Sequence, residues 1–543
     1  MRLPFNPSGF PMQSLRRSLI YSANLGCCSL AIVVLTSVGC APADSTIATQ
    51  SQPVGSGASA PARLASDDYW DVYYMQGSKV GYGHTTIGPA ADEPKNLLRI
   101  EALNKLSVLR FGERSDQELR TVSFETPTGE VVRWETHSSL GAQPVVVKGT
   151  VEGSRMLIHS SDGSPDQAIA WPPDARGFGG VEQSLTAKPM LPGERRSLKL
   201  LMPMLNQVVT AELTAGAVED VKMLVGSQKL LRVDSVLRLP GGNDLTSVLW
   251  TDNRGRALKT KMDAMQQESF RTTADVAQAP DDGKGFDLGA DAIVRVEPPL
   301  AEPHGSKRIV YEVELVGGDP AEVFAMGPTQ QVKSLGPHRA ELTVLAVRPK
   351  SGADVKASAP EKASPASNSA ATKEKSAEYL APNSIVQSDD PLVVKMAGSI
   401  AANEPDPWKI AVDLEKLVHD SIKKKNFSQA LATASQVAAS LEGDCTEHAV
   451  LLAALARARG IPARVAIGLV YVPGLHGFGY HMWTEVAIAG VWIPLDATLG
   501  QAGIGAAHLK LGDSSLQGAS AFSSFLPVAQ VLGRLKIKVV SAE

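Results

Sequence analysis

Alternating apolar and polar positions follow residue 66 and predict a mainly antiparallel β structure. In YWDVYYMQGSKVGYGHTTI, two aromatic and β-branched runs flank Gln76-Gly77-Ser78, which is typical of a β-hairpin. The same pattern recurs around Pro127 to Gly129 and around Asn253 to Gly255. Successive hairpins favour sequentially paired strands, so we predict a β-rich domain over 67–275. Further strand signals predict a small β module over 291–349.

The hydrophobic period becomes helical after residue 390. Asp390 is a good N-cap and Pro391 suits a first helical turn. Helical spacing then predicts three helices, over 408–424, 426–443 and 446–459. Strand patterns follow over 463–472, 481–489 and 491–499. We therefore predict a multidomain chain, with N-terminal mainly antiparallel β domains and a C-terminal α+β domain over 380–543.

Residues 351–376 contain few large apolar side chains, so we predict a disordered linker there. The 543-residue chain is 43% hydrophobic and 20% charged, which is typical of soluble globular proteins. A formal net charge of -4 gives no global electrostatic signature for nucleic acid, so no nucleic-acid partner is expected.

The N-terminus resembles an export signal. Residues 1–18 carry three arginines and no acidic residue, and an apolar run then leads to Cys40. We predict a signal peptide over 1–40, lipidation of Cys40 in SVGC, and a flexible tether over 41–66. Cleavage after Ala43 and an uncleaved anchor over 19–39 stay open as alternatives. The expected location is the cell envelope, attached to the membrane by a lipid or anchor, with a periplasmic or secreted protein as the alternative.

Export would reduce the number of free thiols among the four cysteines, which are Cys27, Cys28, Cys40 and Cys445. Signal removal and acylation would leave Cys445 as the one remaining thiol of the mature chain. It follows Asp444, a suitable N-cap, and therefore lies in the first turn of the third predicted helix. Unpaired backbone N–H groups and the helix dipole stabilise a thiolate there. Cys445 is therefore a candidate nucleophile.

A thiolate nucleophile needs a base, and that base needs an orienting group. His481 begins one predicted strand and Asp496 ends the next. Antiparallel pairing across a turn at Ala489-Gly490 puts residue 481 opposite about 498, so Asp496 should lie beside His481. A carboxylate there would fix the tautomer of the histidine.

Four segments, GDCTEHA, GIPARV, FGYHMWTEV and GVWIPLDAT, together resemble the core of the transglutaminase-like superfamily over about residues 383–515. The resemblance implies a papain-like fold with Cys445 as nucleophile, His481 as base and Asp496 as orienting group. It also implies acyl transfer on a protein or peptide amide, by a transglutaminase, amidase or cysteine peptidase without a cofactor. Calcium is not implied.

Other residues near the predicted triad are candidates for supporting roles. Possible supporting residues are Asp444, His448, Tyr480 and Trp483. No metal is predicted, although a zinc site formed by Cys445, His448, His481 and Asp496 is an alternative. A non-catalytic module that binds an envelope peptide or protein is the alternative function. Three arginines, Arg457, Arg459 and Arg464, are expected on a solvated or salt-bridged surface.

Overall fold

The computed structural model describes residues 66–91, 96–139, 144–161, 166–239, 244–263, 266–281, 285–354, 377–400, 403–428, 431–517 and 525–543. The predicted signal peptide, Cys40, the tether up to residue 65 and linker residues 355–376 lie outside these ranges. Within them, no helix combines the length and the apolar character needed to cross a membrane.

One large sheet holds the first fifteen described strands. They are β1 Asp67–Met75, β2 Ser78–Pro89, β3 Leu98–Arg110, β4 Glu113–Glu125, β5 Val131–Ser139, β6 Val145–Glu152, β7 Arg155–Ser160, β8 Gln167–Ala170, β9 Ala175–Arg176, β10 Arg195–Met202, β11 Gln207–Lys222, β12 Ser227–Arg238, β13 Leu245–Thr251, β14 Ala257–Met262 and β15 Gln267–Thr272. Each strand pairs with the next from β1 to β8 and from β9 to β15, β1 pairs with β15, and β8 and β9 are the two edge strands. All of these pairs are antiparallel except β9 with β10. The predicted antiparallel β architecture is therefore confirmed.

Strand β3 shows how its sequence sets one face of the sheet. From Ile100 to Arg110 every second residue is buried, as a period of two requires. Arg110, at the end of this strand, is on the same buried face as Leu106 and Val108. The pattern therefore places an arginine where an apolar residue would be expected.

Two smaller sheets follow. One orders β16 Val294–Arg295, β21 Gly477–Ile488, β20 Ala463–Val472 and β23 His508–Ser514, with β22 Val491–Leu495 beside β21. The other orders β18 Gln330–Gly336, β19 Arg339–Leu345, β17 Arg308–Leu315 and β24 Leu535–Ala542. Because β16 pairs with β21 and β17 with β24, strand pairing joins the predicted module over 291–349 to the predicted domain over 380–543.

The described α-helices pack around these sheets. They are α1 Gly180–Ala187, α2 Ala274–Gln278, α3 Leu288–Asp291, α4 Pro320–Val323, α5 Pro391–Ala397, α6 Pro407–Ser421, α7 Ala434–Ser440, α8 Cys445–Ala458 and α9 Leu526–Val531. The predicted N-cap of α5 is confirmed, because the Asp390 carboxylate accepts hydrogen bonds from Leu392 N and Val393 N.

Helix α8 is the centre of the C-terminal domain. Its residues from Cys445 to Arg457 are all buried, and it contacts β20, β21, α5, α6 and α7. A helix that is covered on every side needs no polar face, which explains its run of alanines and leucines.

The prediction of one helix over 426–443 is wrong in its first half. Helix α7 begins only at Ala434, where Thr433 and Gln436 form a reciprocal capping box. Before it, Lys424 forms a β-bridge with Glu442, and Gly443 N donates to Lys424 O at 3.1 Å. Tertiary hydrogen bonds thus hold residues 424–428 outside a helix, although the sequence pattern permits one.

Arg457 also departs from its expected surface position. Its guanidinium is buried and donates to the carbonyl oxygens of Ala381, Ala463 and Ser515 at 2.9–3.0 Å. Burial lowers its pKa to about 10, so it remains charged at neutral pH. The side chain ties α8 to two loops and to the start of β20.

We expect Arg457→Met to lower the free energy of unfolding by about 2–4 kcal/mol, because it leaves buried carbonyl groups without donors. Urea denaturation followed by circular dichroism measures the change. Lys416→Met is the control, since the ion pair of Lys416 with Asp420 lies on the exposed surface of α6 and should contribute little. Equal stability of the Arg457→Met and native chains would contradict a structural role for these bonds.

Candidate active site

Cys445 begins helix α8 and is completely buried. Asp444 caps the helix: its carboxylate accepts from Thr446 N at 2.8 Å, while Glu447 accepts from Asp444 N at 2.9 Å. Gly443 has a φ of +148°, and a Cβ atom there would lie 2.3 Å from the Glu447 Cβ. Only glycine therefore lets the chain enter this capping box without strain.

Two buried acidic groups flank the thiol, and they differ in charge. Burial alone would raise the pKa of Asp444, but the charge of Arg110 and hydrogen bonds with Glu447 and Thr446 hold it below its ordinary value. Burial and the Asp444 charge instead raise the pKa of Glu447 to about 8. At pH 7, Asp444 is therefore ionised and Glu447 is neutral.

His481 and Asp496 meet as the sequence register predicts. Strand β21 pairs with β22 so that Thr484 faces Leu495 and Ile488 faces Val491, which puts position 481 across from 498. His481 Nε2 lies 2.8 Å from Asp496 Oδ2. An ionised carboxylate only accepts, so His481 donates from Nε2, and in the neutral ring Nδ1 is the unprotonated nitrogen. This Nδ1 is buried and has no hydrogen-bond partner in the described part of the chain.

Asp496 is buried, yet donors surround both of its oxygens. Oδ1 accepts from Thr498 N at 2.9 Å, and Oδ2 contacts both His481 and His508. Burial would raise the pKa of Asp496, but the nearby charge and hydrogen bond of His481 and the hydrogen bond of His508 lower it well below its ordinary value. Asp496 is therefore a fixed negative charge.

Helix α6 supports the loop that carries this carboxylate. Glu415 accepts from Asp496 N at 3.2 Å, and His419 Nδ1 lies 3.0 Å from Ala497 O. Burial and the neighbouring Asp496 charge raise the pKa of Glu415 to about 8. Glu415 is thus neutral at pH 7 and adds no second negative charge.

His508 is a member of this cluster that the sequence analysis missed. It lies on β23, and its Nε2 is 3.0 Å from Asp496 Oδ2. Burial lowers the pKa of His508, so the ring is neutral and donates one proton to the carboxylate. His304 lies next to it, with ring centroids 6.0 Å apart. A histidine in the strand after Asp496 was the available signal, but sequence alone did not reveal that β23 lies beside β20.

Gly468 allows this close packing. It pairs with His481 across β20 and β21. A Cβ atom at position 468 would lie 2.0 Å from Leu509 O and 2.9 Å from the Trp483 ring. The absence of a side chain lets β23, which carries His508, approach the strand that carries His481.

The predicted supporting residues have distinct surroundings. Trp483 is buried, with its ring 6.2 Å from His481 and 5.4 Å from His508. Tyr480 is buried against Phe525, at 6.4 Å between centroids. His448 Nδ1 donates to Asp444 O at 2.5 Å within α8. Trp483 thus packs against both histidines, while His448 bonds to the backbone that precedes the thiol.

Lys425, which lies between the predicted helices over 408–424 and 426–443, is another residue that the sequence analysis missed. It is half-buried and interacts electrostatically with Cys445, Asp444 and Asp496. Burial lowers its pKa, and the three acidic groups oppose that change. One ammonium group thus lies within electrostatic range of both the helix N-terminus and the His481–Asp496 pair.

The zinc alternative takes a different form in the structure. Among the described residues, His481, Asp496 and His508 place three potential ligand atoms within 4.8 Å of one another. This set does not include Cys445 or His448. The Nε2 atoms of His481 and His508 both lie within hydrogen-bond distance of Asp496 Oδ2. The same arrangement fits a hydrogen-bond network and a set of zinc ligands. Metal analysis of protein purified without added metal separates the two.

We expect stability to decline in acid partly because His448 is buried. A histidine in the unfolded chain has a pKa of about 6.5. Burial and the charge of Lys425 lower that of folded His448 to about 3. Between these values the unfolded state binds the extra proton, so the contribution present above pH 6.5 is lost as the pH falls toward 3.

His448→Asn keeps a donor for Asp444 O but removes the titrating ring. The slope of unfolding free energy against pH should become shallower by up to about 1.4 kcal/mol per pH unit between pH 6 and pH 4. Urea denaturation at a series of pH values gives this slope. An unchanged slope would show that His448 does not bind its proton on unfolding.

One region of the chain, which contains the candidate site residues, matches a known protein family. Residues 394–497 match the model of the transglutaminase-like superfamily, which confirms the resemblance drawn from the sequence motifs. The match includes Cys445, His481 and Asp496. No curated protein matches the chain.

Several solved structures show limited similarity. A β-barrel-like protein of a domain of unknown function from Brucella abortus is 10% identical, covering 39% of this chain and 96% of that one, with a TM-score of 0.31. A cysteine protease candidate from Cytophaga hutchinsonii is 14% identical, with coverages of 44% and 86% and a TM-score of 0.27. The periplasmic domain of TgpA from Pseudomonas aeruginosa, bound to ethylmercury, is 14% identical, with coverages of 36% and 91% and a TM-score of 0.23. These values are too low to support an inference about function.

Proposed function

From the transglutaminase-like domain at residues 394–497, we infer that the protein is an exported cysteine-dependent acyl-transfer enzyme that acts on protein or peptide amides. The observation that carries this proposal is the His481–Asp496 hydrogen bond of 2.8 Å, which engages Nε2 and makes Nδ1 the basic nitrogen of the neutral ring. The position of Cys445 at the N-terminus of a buried helix supports it, because that position favours a thiolate.

In the proposed mechanism, His481 Nδ1 takes the proton of the Cys445 thiol. The thiolate attacks the amide carbonyl carbon, a C–S bond forms, and the carbonyl oxygen becomes an oxyanion. The Cys445 backbone N–H is the candidate donor to this oxyanion. Collapse of the intermediate breaks the C–N bond, and the leaving amine takes the proton from His481.

The molecule that attacks the resulting thioester determines the reaction type. Attack by water or by a primary amine forms a new C–O or C–N bond and breaks the C–S bond, and His481 passes the proton of the attacking group back to the Cys445 sulfur. Water gives a peptidase or amidase, and a primary amine gives a transglutaminase. In either case Asp496 keeps the proton of His481 on Nε2 and stabilises the imidazolium that forms between the two proton transfers. Because Cys445 and His481 are almost completely buried, substrate entry requires the site to open.

The alternative is a non-catalytic module that binds an envelope peptide or protein. Complete burial of Cys445 favours it, because a buried thiol can be a structural residue. The pH profile of Cys445 alkylation by iodoacetamide distinguishes the two functions. A midpoint well below the ordinary thiol pKa of about 8.5 supports catalysis, and a midpoint at or above it supports the binding module.

We expect Cys445→Ala to abolish amide chemistry, because no other residue supplies the proposed nucleophile. A mixed peptide library incubated with and without a biotin-labelled primary amine, followed by mass spectrometry, detects both hydrolysis and amine incorporation. The control is Ser440→Ala, which removes an exposed hydroxyl five residues earlier and should retain activity. Equal activity of Cys445→Ala and the native chain would refute the proposed role.

We expect Asp496→Asn to lower kcat by about 10²–10⁴-fold with a smaller effect on KM, because an amide no longer fixes the tautomer of His481. Steady-state kinetics on the best peptide from the library measure both constants. Asp413→Asn, on the exposed side of α6, is the matched control. Native kcat in Asp496→Asn would exclude Asp496 as the orienting group.

A further inference from the structure

The carboxylate of Asp444 presents an electrostatic difficulty for a nucleophilic Cys445. It is buried, ionised and adjacent in sequence to a thiol that must also become negative. A nearby like charge opposes ionisation of the thiol. Some nearby group must therefore compensate for the charge of Asp444.

The ion-pair partner of Asp444 comes from the N-terminal sheet. Arg110, the last residue of β3, is 1% exposed and donates from Nη2 to Asp444 Oδ2. Its Nη1 donates to Phe427 O at 3.1 Å. Oδ1 of Asp444 meanwhile accepts from Thr446 N and Thr446 Oγ1. The oxygen that caps α8 is therefore distinct from the oxygen that contacts Arg110.

Further contacts fix the hairpin tip that carries Arg110. Asp287 accepts from Phe111 N at 2.9 Å and from Gly112 N at 2.8 Å. Glu113 accepts from Phe427 N at 2.7 Å, and the Phe111 and Phe427 rings lie 5.1 Å apart. Both sides of the Phe427 backbone are thus held by the turn between β3 and β4. Arg110 is a buried, fixed cation, unlike a solvated surface arginine.

The buried carboxylates nearest to Cys445 in charge terms are Asp444 and Asp496, and among the described residues Arg110, Lys425 and the titratable ring of His481 face them. Asp444 and Asp496 are negative, while Arg110 and Lys425 are positive. Glu447 and Glu415 are neutral at pH 7, since the pKa of each is raised to about 8. His448 and His508 are neutral because burial lowers their pKa values. Without Arg110, Asp444 would lose its buried ion-pair partner, and Lys425 would be the remaining lysine or arginine with an electrostatic interaction with Asp444 among those described.

We propose that Arg110 is a positioning residue of the active site, whose guanidinium compensates Asp444 and so allows Cys445 to form the thiolate. The large β-sheet is then part of the catalytic machinery, because it supplies a charge that the C-terminal domain lacks at this position. This inference rests on the proposed role of Cys445 as nucleophile.

The test is the pH dependence of Cys445 alkylation by iodoacetamide in the full chain, measured by peptide mass spectrometry from pH 5 to pH 10. The plateau rate reports access to the buried thiol, whereas the midpoint reports its ionisation. Arg110→Met should raise the midpoint by about one pH unit or more. Arg120→Met, which removes a half-exposed arginine from β4, should keep the native midpoint.

Two further variants separate charge from structure. Arg110→Lys retains the cation but not both hydrogen bonds, so its midpoint should stay near the native value. Asp444→Asn in the Arg110→Met background removes the uncompensated carboxylate, so the midpoint should return toward the native value. A purely structural role for Arg110 predicts no such reversal.

Asp444→Asn alone keeps the inference testable if Arg110→Met does not fold. Arg110 is then left without an opposing charge, and the midpoint should fall below the native one. A native midpoint in Arg110→Met, a failed reversal in the double variant, or an unchanged midpoint in Asp444→Asn would overturn the inference. A native chain that titrates like an ordinary thiol would instead refute the proposed function, so the two failures are distinguishable.

Discussion

Asp496 holds a negative charge away from solvent, and much of the C-terminal domain is arranged to make that possible. An ionised carboxylate is strongly destabilised in a protein interior unless donors replace its water. Here the donors come from separate elements: His481 from β21, His508 from β23 and backbone amides from its own loop. Three strands must therefore be in register before the carboxylate is satisfied.

The same constraint operates at the other end of the site. Asp444 is buried as deeply as Asp496, but its compensating charge comes from Arg110, 334 residues away in the sequence. Buried ion pairs often contribute little net stability compared with apolar contacts. What this pair does provide is a fixed relation between the turn of β3 and β4 and the N-terminus of α8. The orientation of that helix end thus depends on both parts of the chain.

Local patterns predicted the elements that carry the triad candidates, and non-local contacts explain what they missed. The Asp444 cap, the buried helix after it and the pairing register of His481 and Asp496 all follow from spacing over fewer than twenty residues. The sequence pattern places Arg110 only at the end of an amphipathic strand. The tertiary fold is needed to show that Asp444 is its partner. Residues 424–428 have a helix-compatible pattern, yet β-bridging to Glu442 and bonds to the β3–β4 turn prevail. His508 needed knowledge of strand order.

The family resemblance covers only part of the residues that surround the candidate site. The matched segment, 394–497, contains the thiol, the imidazole and the carboxylate that define a reaction class. It does not contain Arg110 or His508, which lie against the two buried carboxylates. In a site with little water, the charge state of the reacting groups depends on such neighbours as strongly as on the groups themselves. Under the proposed function, the three candidate residues would define the reaction class, and its pH range would depend on residues outside the segment that the resemblance covers.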